Sequence, residues 1–374
     1  MKIVVAMDSF KGSLTAEQAC RIIKDALLSA RPDLRIITKP MADGGEGTAR
    51  AMIASANGKW LDAVVTGPLP GMKVNAGFAF FEDTKTTLVE MAAASGIELL
   101  SSDQLNPYKT TTLGTGQLIK ESLKLKPEKI YLAVGGSATV DGGTGAATAL
   151  GWQFLDKSGN QIKPGGQHLD RIAHIIPPEN LPLPPVQVLC DVNNPLCGPD
   201  GAAEIFGPQK GATPAMVKHL DKGLKNFAAI VREQLGREIE NVPGAGAAGG
   251  LAAGAIAFMN ATLIPGIQAV IQTSNLAEAI TDADWIITGE GRLDHQSMQG
   301  KVVCGIINTA KNTNAKVAAI AGTLALSPDE CTQFGLHHAM GLRTPDMPLD
   351  HALKNAPQLL ARTAKMLARK IFAL

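Results

Sequence analysis

Carboxylates and basic residues recur among glycines at three places in this chain: Asp8-Ser9-Phe10-Lys11-Gly12, Ala42-Asp43-Gly44-Gly45-Glu46-Gly47-Thr48 and Gly289-Glu290-Gly291-Arg292-Leu293-Asp294. Any one of them alone reads equally as a turn with capping residues. Together they supply what a metal-bound polyphosphate and a small acid need, namely carboxylates for a hard cation and Lys or Arg for anions. A further stretch, Gly135-Gly136-Ser137-Ala138-Thr139-Val140-Asp141-Gly142-Gly143, lies between the β-rich run Lys129 to Val134 and a helical stretch from Thr144 to Leu150. A strand, a glycine loop and a helix start make an anion site, because unpaired N–H groups point outward and no side chain blocks close approach. Tight strand-to-helix packing is the alternative use of the same glycines. Asp191, after the strand Val186 to Leu189, is placed to hold Mg²⁺ or to orient a hydroxyl, and Lys210, in Gly207-Pro208-Gln209-Lys210-Gly211, to neutralise phosphate charge.

The elements that must position these residues follow from the hydrophobic pattern. Lys2 to Ala6 reads as a strand that runs into the Asp8 loop, with a helical pattern from Thr15 to Leu28 beyond it. Arg35 to Lys39 repeats the unit ahead of the Asp43 loop. Near the other end, Trp285 to Thr288 runs into Gly289-Glu290, Lys316 to Ala321 into Gly322-Thr323, and His337 to Met340 into Gly341. Five strands alternating with helices predict one parallel, doubly wound sheet built from residues 1–60 plus 284–374. Residues 61–283 then form an inserted second α/β domain, with strands around Leu61 to Val65, Phe78 to Phe81, Lys85 to Glu90, Lys129 to Val134 and Val186 to Cys190. Ligands of open parallel sheets bind beyond the carboxyl ends of the strands, where the polar loops gather.

Composition narrows the function classes. The 374 residues are 45% hydrophobic and 18% charged, with 35 Lys and Arg against 34 Asp and Glu, so a formal charge of +1 provides no field that would draw nucleic acid or an anionic membrane. A small-molecule partner is the expectation. Five cysteines without a CxxC pair, and no signal-like N-terminal run, point to reduced thiols and a cytoplasmic protein. The uncharged stretch from Val242 to Ala277 is long enough to span a bilayer, but its glycines, Asn260 and Pro265 argue for closely packed buried backbone. Gly244 to Gly249 fits GxGxxG without a strand before it, which discounts a dinucleotide site, and no GxxxxGK[ST] segment is present. His337-His338 sits in an expected strand and reads as structural, and the C-terminal apolar stripe Leu353, Leu360, Leu367 reads as a docking helix with a solvated basic face.

In order and spacing along nearly the whole chain, these motifs resemble the bacterial glycerate kinase family. The stretches that carry the resemblance are Asp8 to Leu14, Ala42 to Thr48, Gly135 to Thr139, Asp141 to Gly143, Phe206-Gly207-Pro208-Gln209-Lys210-Gly211-Ala212 and Thr288 to Asp294. The chain departs from the family pattern at Met7 and Val140. The resemblance implies a flavodoxin-like domain interrupted by a second α/β domain, and ATP-dependent phosphorylation of D-glycerate with Mg²⁺, with 2-phosphoglycerate favoured over 3-phosphoglycerate. On this reading the ATP phosphates lie against Gly135, Gly136, Ser137, Thr139, Gly142 and Gly143, and glycerate occupies an interdomain cleft facing Ser9, Lys11 and Arg292. Asp191, Lys11 and Lys210 are the expected catalytic residues. Asp191 is the first choice for the metal, with Glu290 and Asp294 after it. The rival class is a non-catalytic module that senses a sugar acid or nucleotide.

Overall fold

The protein is described by a computed structural model covering residues 1–45, 47–298 and 300–372. In chain order its principal strands are β1 (Lys2–Met7), β2 (Arg35–Thr38), β3 (Lys59–Thr66), β4 (Lys73–Phe81), β5 (Thr86–Glu90), β6 (Lys129–Ala133), β7 (Val186–Leu189), β8 (Thr262–Ile264), β9 (Trp285–Gly289), β10 (Lys316–Ala321) and β11 (His338–Gly341). They form a five-stranded and a six-stranded sheet in two compact units. The first unit comprises residues 1–43, 50–58 and 265–374, and the second residues 44–49 and 59–264. Residues 265–283, expected in the insert, therefore pack with the first unit, where helix Gly266–Thr273 lies on helix Val302–Ala310.

In the first unit the order is β11-β10-β9-β1-β2, parallel throughout. Every residue of β1 (Lys-Ile-Val-Val-Ala-Met) is buried, as expected of a central parallel strand covered on both faces. Ile3, Val5 and Met7 join one core with the helices Ala16–Ala30 and Ala356–Phe372, while Val302–Ala310 covers β9 and β10. The first of those helices starts on a capping box, in which Gln18 N donates to Thr15 Oγ1 at 3.2 Å and Thr15 N to Gln18 Oε1 at 2.9 Å. It stops at Arg31, ahead of Pro32. The C-terminal helix docks through Leu360, Ala364, Leu367 and Ala368 and exposes Arg362, Lys365, Arg369 and Lys370. Counted within this unit the strand order is 2-1-3-4-5, the flavodoxin-like arrangement, and its topological switch point falls between β1 and β9. His337 and His338 pack on Trp285, His338 stacked at 5.6 Å between ring centroids, which is a structural use.

In the second unit the order is β8-β7-β6-β5-β4-β3, with β5 to β8 parallel and β3 and β4 antiparallel. The parallel half places the chain after β6 and the chain after β7 side by side at the carboxyl ends of neighbouring strands. Val140 is fully buried in the apolar cluster with Leu220, Leu224 and Phe227. Within the uncharged stretch, Ala247–Met259 is almost wholly buried and turns through left-handed backbone at Ala248, Gly249 and Gly250 before its helical part, and no helix among the described residues is long and apolar enough to cross a membrane.

Candidate active site

The loop after β6 is shaped in two parts. Its first part is accessible: Gly136 is exposed, and Gly135 and Ser137 are half-buried. Two backbone bonds hold it against a neighbouring segment, Ile97 N to Gly136 O at 2.8 Å and Ala138 N to Ser95 O at 3.0 Å. Gly44 and Gly45 lie alongside, so close that a Cβ on Gly135 would stand 3.2 Å from Gly45 Cα. Glu46 lies outside the described residues.

The second part is closed, which corrects the expectation that the whole loop offers its amides to phosphate. Thr139, Asp141, Gly142 and Gly143 are buried. Gly142 N donates to Gly249 O at 3.0 Å, and Gly143 N to Asp141 Oδ1 at 3.1 Å. The helix Thr144–Ala149 starts with its amides already taken, Thr144 N by Asp141 O and Ala146 N by Thr112 Oγ1. Asp141 also accepts from Thr112 N at 2.7 Å and Thr112 Oγ1 at 2.9 Å. Burial pushes its carboxyl upward, and these hydrogen bonds pull it back. The glycine-rich run that imitates a dinucleotide motif is the packing partner: Gly249 and Gly254 lie directly against the backbone of Thr139 and Gly142.

Lys210 lies under the accessible part of this loop. It is 1% exposed and reaches the loop from beneath, where Nζ donates to Ser137 Oγ and to Thr139 O, both at 2.7 Å. Burial brings its ammonium down to about 7, against the opposing pull of Asp141. Asp191 is exposed at the carboxyl end of β7, in the loop neighbouring the one after β6.

In the first unit, the loops after β1 and β9 meet at the switch point. Asp8 N donates to Gly289 O at 2.8 Å, and a Cβ on Gly291 would stand 3.5 Å from Lys11 N. Ser9 and Lys11 are thereby brought beside the Gly289–Asp294 loop. Lys11 and Arg292 are exposed, and Arg292 Nε pairs with Asp294 Oδ2 at 2.9 Å. The same place gathers Asp8, Asp43 and Glu290. Burial, followed by the charge of Asp43 and then of Glu290, raises the Asp8 carboxyl to about 8, although Ser9 N donates to its Oδ1 at 2.6 Å. Burial likewise raises Glu290 to about 7; it is 7% exposed, and its Oε1 has no hydrogen-bond partner among the described residues.

No three or more His, Cys, Asp or Glu side chains among the described residues form a metal-holding group. Mg²⁺ is ordinarily held by one or two carboxylates with phosphate oxygens and water completing the shell, and the accessible oxygen donors of Asp191 fit that role. The sequence reading counted Asp8 and Asp43 among carboxylates for a cation without giving either an individual role, and it gave none to Asp141 or Thr112. The first three stand in the polar motifs, but nothing in the pattern marks Thr112.

Comparison with known proteins bears on the whole chain. The profile of the Glycerate kinase family matches residues 3–372. A glycerate kinase from Halalkalibacterium halodurans is 44% identical over 98% of this chain and 97% of its own length. A glycerate 2-kinase from Escherichia coli is 43% identical, again over 98% and 97%. Among solved structures, a Salmonella typhimurium LT2 protein described as a glycerate kinase 2 superposes with a TM-score of 0.89 at 41% identity, covering 100% of this chain and 98% of that one. With the mixed α/β fold and this match along its length, the chain belongs to the glycerate kinase family and is an enzyme of the kinase class.

Proposed function

We propose that the protein transfers the γ-phosphoryl group of ATP to D-glycerate, releasing ADP and 2-phosphoglycerate. The observation that carries this reading is the accessible Gly135-Gly136-Ser137 segment over the buried Lys210, in a chain that is more than two-fifths identical to a glycerate 2-kinase along nearly all of its length. Phosphate oxygens lie against the exposed backbone of that segment. Asp191 would hold Mg²⁺, which when bound supplies neutralisation of phosphate charge.

D-Glycerate carries a carboxylate and two hydroxyls. The exposed guanidinium of Arg292 offers two parallel N–H donors to that carboxylate, and Lys11 and Ser9 on the facing loop of the same unit add a charge and a hydroxyl. A substrate hydroxyl oxygen bonds to the γ-phosphorus, the bond from phosphorus to the ADP oxygen breaks, and the hydroxyl proton leaves. Little covalent help is needed, so positioning and charge neutralisation carry the rate. The test is ³¹P NMR of a reaction containing the purified protein, ATP, MgCl₂ and D-glycerate. A 2-phosphoglycerate signal with ADP is expected; 3-phosphoglycerate would overturn the regiochemistry, and ligand binding without product would favour the sensing module.

A further inference from the structure

Lys210 is oriented by its own turn. Pro208 opens a single 3₁₀ turn over Pro208–Lys210, and Lys210 N bonds back to Gly207 O at 3.0 Å. The chain leaves through Gly211, where a Cβ would stand 2.4 Å from Leu105 O, so the backbone is pressed against its neighbour and the lysine side chain is directed inward. A buried ammonium is costly to keep, and an apolar side chain of similar length would fill the space without that cost. What the amine contributes is two short bonds, one to a buried carbonyl and one to the only hydroxyl on the accessible part of the loop.

A protonated lysine has donors and no acceptor. In the Lys210–Ser137 bond the hydroxyl oxygen must therefore be the acceptor, and its own hydrogen has to point elsewhere. Ser137 is half-buried beside the exposed Gly136, so that hydrogen can turn toward a ligand at the accessible part of the loop. We propose that Lys210 is a positioning residue that makes Ser137 a hydroxyl donor to the phosphate oxygens of the nucleotide, rather than a residue that touches phosphate itself. This rests on the reading that ATP phosphates bind Gly135 to Ser137. Deprotonation reverses the bond, because a neutral amine carries a lone pair that accepts from Ser137, and the hydroxyl hydrogen then turns inward. The charged group acting on this amine is Asp141, and the ammonium titrates near 7.

The experiment is calorimetric titration of ATP, with and without MgCl₂, into the wild type, Ser137→Ala, Lys210→Met, the double variant and Gly136→Val. Circular dichroism melts check each fold. Losing one charge-assisted contact lowers ATP affinity about 10- to 100-fold. Ser137→Ala is expected to show that loss, Lys210→Met a similar one, and the double variant no more than the larger single loss, because both remove the same ligand contact. Ser137→Thr, which keeps the hydroxyl, restores affinity. If Lys210→Met fails to fold, the pH series decides alone: the ratio of Ser137→Ala to wild-type Kd falls toward one between pH 6.5 and 9. A pH-independent ratio, an unchanged Kd in Ser137→Ala, or multiplicative losses in the double variant would each overturn the proposal. Gly136→Val separates the two levels, since Gly136 has φ +70° and a Cβ there meets Ala92 at 3.2 Å. Undiminished ATP affinity in that variant would mean that the nucleotide is not on this loop. Its loss alongside a normal Ser137→Ala would refute only the hydroxyl.

Discussion

Asp8 and Glu290 follow adjacent parallel strands of one sheet, and both carboxyls hold their protons well above the ordinary carboxylate range. Burial is the main cause at each, and the negative charge of Asp43 adds to both. The pair stands where the strand order reverses, which is where open α/β sheets bind their ligands.

The first prediction is a stability dependence on pH. The folded carboxyl of Asp8 titrates at about 8 and that of Glu290 at about 7, against roughly 4 in the unfolded chain. Groups raised on folding stabilise fully below the unfolded value, and that contribution is lost as pH rises through the folded one. Asp8→Asn, which keeps the acceptor for Ser9 N, should match the wild type near pH 4 and exceed it by about 1–3 kcal/mol at pH 8.5. Urea melts at the two pH values read the difference. An equal offset at both would show that Asp8 does not titrate in this window.

Lys11 and Arg292 are solvent-exposed, so removing them should cost activity without cost to the fold. Lys11→Ala and Arg292→Ala are each expected to lower kcat/KM for D-glycerate by about 10- to 100-fold and to change stability by less than about 0.5 kcal/mol. Arg292→Lys keeps the charge but loses the two-pronged donor, and should recover only part of the loss. Normal kinetics in both alanine variants would remove these residues from the glycerate site.

Asp191→Asn preserves shape and removes a charge. Calorimetry in EDTA should show ordinary ATP affinity, whereas the Mg²⁺ concentration for half-maximal rate should rise about tenfold or more and kcat should fall. A variant with wild-type Mg²⁺ dependence would leave Asp191 without a metal role and move attention to Glu290 and Asp294.

Packing of the closed part of the loop after β6 predicts a contrast between two glycines. At Gly249, with φ +64°, a Cβ would stand 1.9 Å from Thr139 O, and at Gly159, with φ +79°, it would meet nothing within 4 Å. Gly159→Ala should cost only the conformational strain, about 1–2 kcal/mol. Gly249→Ala adds a backbone collision and should cost more than about 3 kcal/mol or prevent folding. Equal thermal shifts in the two variants would contradict the close approach.

Much of this is legible in the sequence. Apolar runs mark β1, β2, β9, β10 and β11, and carboxylates follow three of them at the carboxyl end: Asp8 directly after β1, Glu290 directly after β9, and Asp43 in the loop that leaves β2. Local signals such as Thr15 with Gln18, or Pro32 after the first helix, also act over a few residues and are readable as such. What sequence could not settle depends on partners distant along the chain. Gly142 and Gly143 have the composition of a phosphate cradle, yet Gly249, more than a hundred positions later, takes one amide and Asp141 the other. Lys210 has the composition of a phosphate ligand, yet the press of Gly211 against Leu105 turns it beneath the loop. The return of Pro265–Ala283 to the first unit was hidden for the same reason. Spacing encodes the period of a strand or helix, but whether an amide is free or an ammonium is buried is decided by which remote backbone occupies the space beside it, and only the tertiary structure assigns that neighbour.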